Sequence, residues 1–229
     1  MVEFNPNWYK KFIEKSNEKN LLINKVSELL DGKPKNSCLE IGLGISPYFA
    51  KELSKLFNRY VIIEREVFNG EIPENVELIQ ANWEDKKIDK KFDVIVASHV
   101  IYYFRNKKKA LEKMLASLNK DGRIFFVVNG STADYGHLKL AFSKMLDIKY
   151  QFTYDELKKL LQGTNFKEYT LPSIINFKNY DELHEILKLS FDTYPKEYVK
   201  FKPKIIEYFK KNVRGKKFVI DQKIFEVIL

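Results

Sequence analysis

The stretch that most constrains this chain is Cys38-Leu-Glu-Ile-Gly-Leu-Gly-Ile-Ser-Pro47. A short apolar run carrying Glu40 ends in Gly42 and Gly44, and the residues beyond, Tyr48 to Phe57, read as a helix. Strand, tight turn and helix start follow one another, and at such a turn backbone N–H groups and the helix dipole receive a polar ligand. Glycine lets the backbone turn sharply and come close to that ligand. A lone Gly-x-Gly suits any strand-to-helix turn. Its weight here comes from Glu64, the acid at the tip of the next strand, Tyr60-Val-Ile-Ile-Glu64. The separation from the glycines is that of a carboxylate accepting both hydroxyls of a ribose. A nucleoside-containing cofactor is therefore expected.

The rest of the chain supplies a sheet for that turn. Asn7 to Leu30 reads as helical, with Trp8, Phe12, Leu21, Leu22, Val26, Leu29 and Leu30 largely on one face. Asp31-Gly-Lys-Pro34 stops it, Gly32 suiting a left-handed cap. Strands are expected at 37–41, 59–63, 76–81, 92–97 and 123–128, with an abbreviated crossover at 65–75 and a helix from Lys107 to Leu118. Phe92-Asp-Val-Ile-Val-Ala97 is nearly all apolar, as a strand buried on both faces should be. Strands alternating with helices argue for a doubly wound, mostly parallel sheet. The second half changes character. It reads as a helix from Tyr154 to Leu161 capped by Thr153, a sixth strand from Phe166 to Ile175, helices at 181–191 and 199–211, and a last strand or hairpin at 217–228. We read one domain over 1–229: an N-terminal helical segment (1–34), a core (35–150) and a C-terminal part (151–229) with a lid-like insertion at 176–212.

In an open parallel sheet, ligands gather at the carboxyl ends of the strands. The third strand ends in Gln80-Ala-Asn82-Trp83-Glu84-Asp85, where the Asn82 side chain and the Trp83 backbone N–H suit an adenine edge. The fourth ends in Ser98-His99-Val-Ile-Tyr102-Tyr103-Phe104. His137 and His184 lack metal-ligand spacing, so no metal is expected. Ser131 and Asp134 have no histidine in a hydrolase arrangement.

Composition narrows the partners. The net charge is +9 and the sequence pI about 9.3, which raises nucleic acid as a partner. The lysines, however, are spread along the chain and interleaved with glutamates, so a solvated surface is the favoured reading. No apolar run approaches the ~18 residues of a membrane span, and Met1 to Lys11 lacks the apolar core of a secretory signal. The single cysteine, Cys38, excludes an internal disulfide and sits in an apolar strand as an inert thiol. The expected location is cytoplasmic.

Four ordered motifs, Leu39-Glu-Ile-Gly-Leu-Gly, Glu64, Gln80 to Asp85 and Phe92-Asp-Val-Ile-Val-Ala-Ser-His, resemble those of the class I S-adenosylmethionine-dependent methyltransferases. The resemblance spans roughly Lys35 to Val128 and implies a seven-stranded Rossmann-like fold. It implies S-adenosyl-L-methionine as cofactor, with S-adenosyl-L-homocysteine as product, held by Glu40, Gly42, Gly44, Glu64, Arg65, Asn82, Trp83 and Ser98. Outside these motifs, Phe12-Ile-Glu-Lys-Ser-Asn-Glu18-Lys, His99-Val-Ile-Tyr102-Tyr103-Phe104, Val127-Val-Asn-Gly130-Ser131 and the segment from Gly215 to Ile228 are similar to the histamine N-methyltransferase group.

That second resemblance implies a small-molecule acceptor with an amine nitrogen. Glu18 would attract the amine and help shed its proton, and His99, Tyr102 and Tyr103 would line the acceptor pocket. Trp8, Tyr9 and Phe12 would supply aromatic walls suited to a cation or flat ring, and Tyr135 stands where the animal enzymes carry tryptophan. His99, Tyr102 and Glu18 are thus the implied catalytic residues. The third glycine of the usual loop is replaced by Ser46, followed by Pro47. Other readings are a methyltransferase acting on RNA and a non-catalytic cofactor-binding protein, with a nicotinamide-dependent dehydrogenase third. Against RNA, the fourth strand lacks the Asn/Asp-Pro-Pro-aromatic turn of many nucleic-acid methyltransferases.

Overall fold

A computed structural model describes residues 5–33 and 35–229, so Pro34 of the expected helix stop lies outside it. In chain order the elements are α1 (Pro6–Lys15), α2 (Glu18–Leu29), β1 (Ser37–Ile41), α3 (Tyr48–Leu53), β2 (Arg59–Glu64), β3 (Val76–Gln80), β4 (Phe92–Ser98), α4 (Lys107–Ala116), β5 (Leu118–Asn129), α5 (Ala133–Met145), α6 (Thr153–Leu160), β6 (Asn165–Asn176), α7 (Tyr180–Ile186), α8 (Pro195–Lys200), α9 (Lys202–Asn212) and β7 (Lys217–Ile228). Short 3-10 turns follow α3 (Ser54–Leu56), precede α4 (Ile101–Tyr103) and follow α7 (Leu187–Phe191).

The seven strands form one mixed sheet in the order β3-β2-β1-β4-β5-β7-β6. The pairs from β3 through β5 are parallel. The run β3-β2-β1 turns back to β4-β5 at β1, so the glycine turn after β1 lies at the topological switch point. β7 runs against β5, since the Gly130 N–H meets the Asp221 carbonyl and the Leu229 N–H meets the Gly122 carbonyl. Residues Cys38–Ile41, Tyr60–Glu64 and Phe92–Ala97 are all buried, in keeping with the apolar runs.

The chain divides into two compact units. One comprises Lys19–Val128, Leu157–Thr170 and Lys223–Leu229 and contains β1 to β4 and most of β5. Its Glu226 carboxylate is buried and takes the Arg123 guanidinium and, at 2.9 Å, the Tyr169 hydroxyl. The other comprises Met1–Glu18, Asn129–Glu156 and Leu171–Gln222. In it α1 packs on α7 and on the turn Leu187–Phe191. The rings of His184, Tyr198 and Phe191 stack at successive centroid distances of 4.3 Å.

Several boundaries differ from the sequence reading, for physical reasons. The single helix expected from Asn7 to Leu30 is two. At the break, Ser16 bridges to Ile175 and Asn17 exchanges hydrogen bonds with Ile174 (3.2 and 2.8 Å), so strand pairing takes the backbone groups a continuous helix would use. Ser16 Oγ then accepts the Glu18 N–H and opens α2. α5 was not anticipated. Its buried positions Tyr135, Leu138, Lys139 and Phe142 have helical spacing, but the lysine among them breaks the apolar pattern. The helix expected at 199–211 divides at Phe201, between α8 and α9. Residues 119–122, which fall between the expected helix and the expected strand at 123–128, lie within β5, where Asp121 takes φ +63°. Tyr102 and Tyr103 are both half-buried, and Ile101 fills the core there.

Candidate functional site

β1 and β2 pair in register, Ile41 opposite Ile63, so Glu40 and Glu64 reach the same end of the sheet. The Gly42 N–H donates to the Ile63 carbonyl at 2.9 Å, and the chain then turns through Gly42 (φ +82°) and Gly44 (φ +70°). These are left-handed values that glycine adopts without steric cost. A Cβ on Gly42 would also come within 3.0 Å of Val100 Cγ2.

Glu64 is buried and holds this turn. Its Oε2 accepts the N–H groups of Leu43 (2.6 Å) and Gly44 (3.1 Å), and its Oε1 accepts that of Glu66 (2.8 Å). Three of roughly four acceptor directions are therefore used by backbone. The sequence assigns ribose hydroxyls to Glu64; its partners here are the loop amides, which makes it the anchor of the glycine turn. Arg65 pairs with Glu66 at 2.7 Å.

Behind the turn lies a buried polar group. Glu40 is 3% exposed and accepts the Tyr60 hydroxyl at 2.8 Å. Burial pushes its carboxyl up to about 7, opposed by the Tyr60 hydrogen bond and the charge of Lys19, while Glu64 pushes the same way. Lys19, in the first turn of α2, is 9% exposed, with its ammonium 5.3 Å from the centre of the Phe49 ring. Cys38 is a buried free thiol whose pKa burial raises, as the apolar strand implied.

The ends of β3 and β4 complete this side. The Ala81 N–H donates to the Glu64 carbonyl (2.8 Å), and Asn82 Oδ1 accepts the Glu84 N–H (2.9 Å). Trp83 is buried, its ring under the Lys113 ammonium at 4.4 Å and its indole N–H without a hydrogen-bond partner. Glu84 accepts the N–H groups of Arg105 and Asn106, each at 2.9 Å, and so ties the segment after β3 to that after β4. Burial pushes its carboxyl up, but these bonds and Arg105 outweigh that and lower it. Ser98 Oγ is buried without a partner. His99 follows in a left-handed conformation, φ +54°, which is uncommon for a non-glycine residue and is shared here by Asp121, Ala133, Asp147 and Lys216. Its N–H donates to the Val127 carbonyl at 3.0 Å, and its Nδ1 lies 3.5 Å from the Tyr102 hydroxyl.

These residues fit a nucleoside carrying a polar tail. The Gly42 turn is tight for a Cβ, a hydroxyl at the end of β4 and an indole N–H after β3 are buried and unpaired, and the acids Glu40 and Glu64 lie at the ends of β1 and β2. Among the described residues, no group of three or more His, Cys, Asp or Glu is placed to hold a metal ion, and no helix is long and apolar enough to cross a membrane.

The other unit holds the remaining expected residues. Phe12 is buried in its core, whereas Trp8 and Tyr9 are half-buried on α1. Tyr135 is buried on α5, next to the ammonium of Lys139 at 5.5 Å. Glu18 is 2% exposed, and its Oε2 accepts from Gln222 Nε2 at 2.8 Å. Gln222 Nε2 also donates to Ser173 Oγ (3.1 Å), which in turn donates to the Ile220 carbonyl (3.0 Å). The two acceptors fix the amide orientation, since the flipped amide would put oxygen against a carboxylate. Gln222 Oε1 is left buried without a partner. The sequence reading passed over Gln222. Its signal is a polar residue in the apolar phase of β7, where Phe218, Ile220 and Ile224 are also buried.

Comparison with known proteins agrees with this architecture. The model of the methyltransferase domain family matches residues 14–171, more than half of the chain. A histamine N-methyltransferase of Danio rerio is 28% identical over 143 residues, which cover 58% of this chain and 48% of that protein. The chain thus matches about half the length of that relative. The YcgJ protein of Bacillus subtilis superposes with a TM-score of 0.61 at 15% identity, covering 91% of this chain and 98% of its own. Coclaurine N-methyltransferase, solved with N-methylheliamine and S-adenosylhomocysteine, superposes at 0.55 with 13% identity, covering 91% and 72%. At such identities the two structures speak for the fold. With the family match over the glycine turn, Glu64 and the strand ends, the chain belongs to the methyltransferase domain family.

Proposed function

We propose that this methyltransferase moves the methyl group of S-adenosylmethionine to a nitrogen of a small amine. The observation that carries the reading is the buried pair of Glu18 and Gln222. Gln222 Oε1 is a buried amide oxygen without a donor beside the Glu18 carboxylate, and burying it there is costly unless N–H groups meet it. An amine supplies those groups. The N-methyltransferase names among the similar proteins support the same class of acceptor.

The cofactor, when bound, supplies an electrophilic methyl on a sulfonium. Glu40, Gly42, Gly44, Glu64, Arg65, Asn82, Trp83 and Ser98 are its proposed contacts, and Trp8, Tyr9, Phe12, Tyr102, Tyr103 and Tyr135 the proposed walls for the acceptor. The displacement is in line, so the chain's task is alignment and exclusion of water. The attacking nitrogen must be neutral. Glu18 would hold its N–H groups, and His99, with Tyr102 beside its ring, would accept the proton shed.

The test is release of S-adenosylhomocysteine with a panel of small amines, thiols, alcohols and RNA. Turnover on amines is expected. Glu18→Gln should raise the acceptor KM ~10- to 100-fold, the range for a hydrogen bond to a charged group. His99→Ala should lower kcat more than cofactor affinity. Turnover confined to thiols, alcohols or RNA would overturn the reading.

A further inference from the structure

Trp83 is held by a residue that none of the sequence motifs contains. Lys113 lies in the last turn of α4, where a lysine ordinarily serves the carbonyls that end its own helix. Its ammonium goes elsewhere. It donates to the main-chain carbonyls of Trp83 and Lys86 and stands 4.4 Å from the centre of the Trp83 ring. Burial lowers its pKa, although Asp85 and Glu84 act to raise it, so the ammonium is kept there at a cost in hydration.

The turn it reaches is closed on itself. The N–H groups of Asp85 (3.2 Å) and Lys86 (3.0 Å) both meet the Asn82 carbonyl, and Asn82 Oδ1 accepts the Glu84 N–H at 2.9 Å. Two carbonyls served by one side-chain atom need a donor with at least two hydrogens, and an ammonium has three. The same charge lies over the indole ring, a cation–π arrangement. One side chain therefore fixes both the main chain and the ring of Trp83. The indole N–H does not orient the ring, being buried without a hydrogen-bond partner. Arg105 grips the turn from outside through Glu84 and Asp85, but it is exposed, and exposed pairs contribute little.

We infer that Lys113 is a positioning residue of the cofactor site, which fixes Trp83 and the turn from Asn82 to Lys86 and thereby sets how selectively the site takes the base of its nucleoside. The inference rests on the proposal above that Asn82 and Trp83 are cofactor contacts, and adds the residue that places them.

Calorimetric titration with S-adenosylhomocysteine and with S-inosylhomocysteine, which carries hypoxanthine in place of adenine, reads that selectivity without turnover. The wild type should prefer S-adenosylhomocysteine. Lys113→Met should bind it ~10-fold more weakly, the range of a cation–π contact together with a hydrogen bond to a charged group, and should bind the two ligands more nearly alike. Lys113→Arg, which keeps the charge and the donors, should restore most of the preference. Should Lys113→Met fail to fold, Lys113→Gln, which keeps donors without charge, takes its place. A merely structural lysine would lower both affinities equally or neither, and either result overturns the inference. The chain has two tryptophans, so Trp8→Phe leaves Trp83 as the sole one. In that background loss of the ammonium should shift the Trp83 emission, and unchanged emission also overturns the inference. A wild type that takes both ligands without preference overturns the inference alone; one that binds neither overturns the cofactor reading with it.

Discussion

Replacing Glu40 by glutamine isolates the buried carboxyl behind the glycine turn. The amide keeps the size of the side chain and an oxygen for the Tyr60 hydroxyl, which lies 2.8 Å from Glu40 Oε2, but it cannot ionise. In the folded protein the carboxyl is raised from 4.5 to about 7, chiefly by burial. A carboxyl raised on folding contributes stability that is fully present below its unfolded pKa and is lost as pH rises through the folded one. The window therefore runs from about pH 4.5 to about pH 7. At about 1.36 kcal/mol per unit the full effect is on the order of 3 kcal/mol, of which about 2.5 kcal/mol falls between pH 5 and pH 8. The assay is urea unfolding of wild type and Glu40→Gln across that range. His184, lowered mainly by burial, gains stability in the opposite direction as pH rises, and the depressed acids Glu84, Asp181, Glu182, Glu185 and Glu207 act at lower pH. Both proteins share these groups, so the difference between the two curves reports Glu40. Wild type should lose about 2.5 kcal/mol relative to the variant from pH 5 to pH 8. Parallel curves would refute the argument that burial governs this carboxyl.

Two further outcomes follow from the same physics. Lys139 is lowered from 10.5 to about 8 by burial, although Asp192 acts to raise it, so its stability contribution is present above pH 10.5 and lost as pH falls through about 8. Relative to Lys139→Met, wild type should gain on the order of 2 kcal/mol between pH 8 and pH 10 in urea unfolding. Gly42→Ala places a Cβ at φ +82° and 3.0 Å from Val100 Cγ2, and should cost about 1–2 kcal/mol while weakening S-adenosylhomocysteine binding. Calorimetry alongside thermal unfolding checks both halves.

Much of the cofactor side is legible in the sequence because it is local. Gly42 and Gly44, the apolar strands and the acid at the tip of β2 can be read from adjacent residues, and the structure places them at the switch point of the sheet. Partners are less legible. That Glu64 bonds the amides of Leu43 and Gly44 depends on the pairing of β1 with β2, which no short window contains. The break between α1 and α2 depends on Ile174 and Ile175, more than 150 residues away, and propensity cannot anticipate it. Gln222 and Lys139 carry weak signals of the same kind, each a polar residue in the buried phase of its element. Read alone, such a residue suggests an irregular pattern; once the element is known, it marks a buried polar group that needs a partner. Glu18 could be singled out from resemblance, whereas the burial of its neighbour Lys19 beside Phe49 has no signal in the sequence.

The central claim is that the glycine turn, anchored by Glu64, receives S-adenosylmethionine. Calorimetric titration of S-adenosylmethionine and S-adenosylhomocysteine into wild type and Glu64→Ala tests it most directly. The account predicts micromolar binding of both to wild type and a loss of ~100-fold or more in the variant, since three hydrogen bonds to one carboxylate disappear together. No binding to the wild type, or equal binding to both proteins, would contradict it.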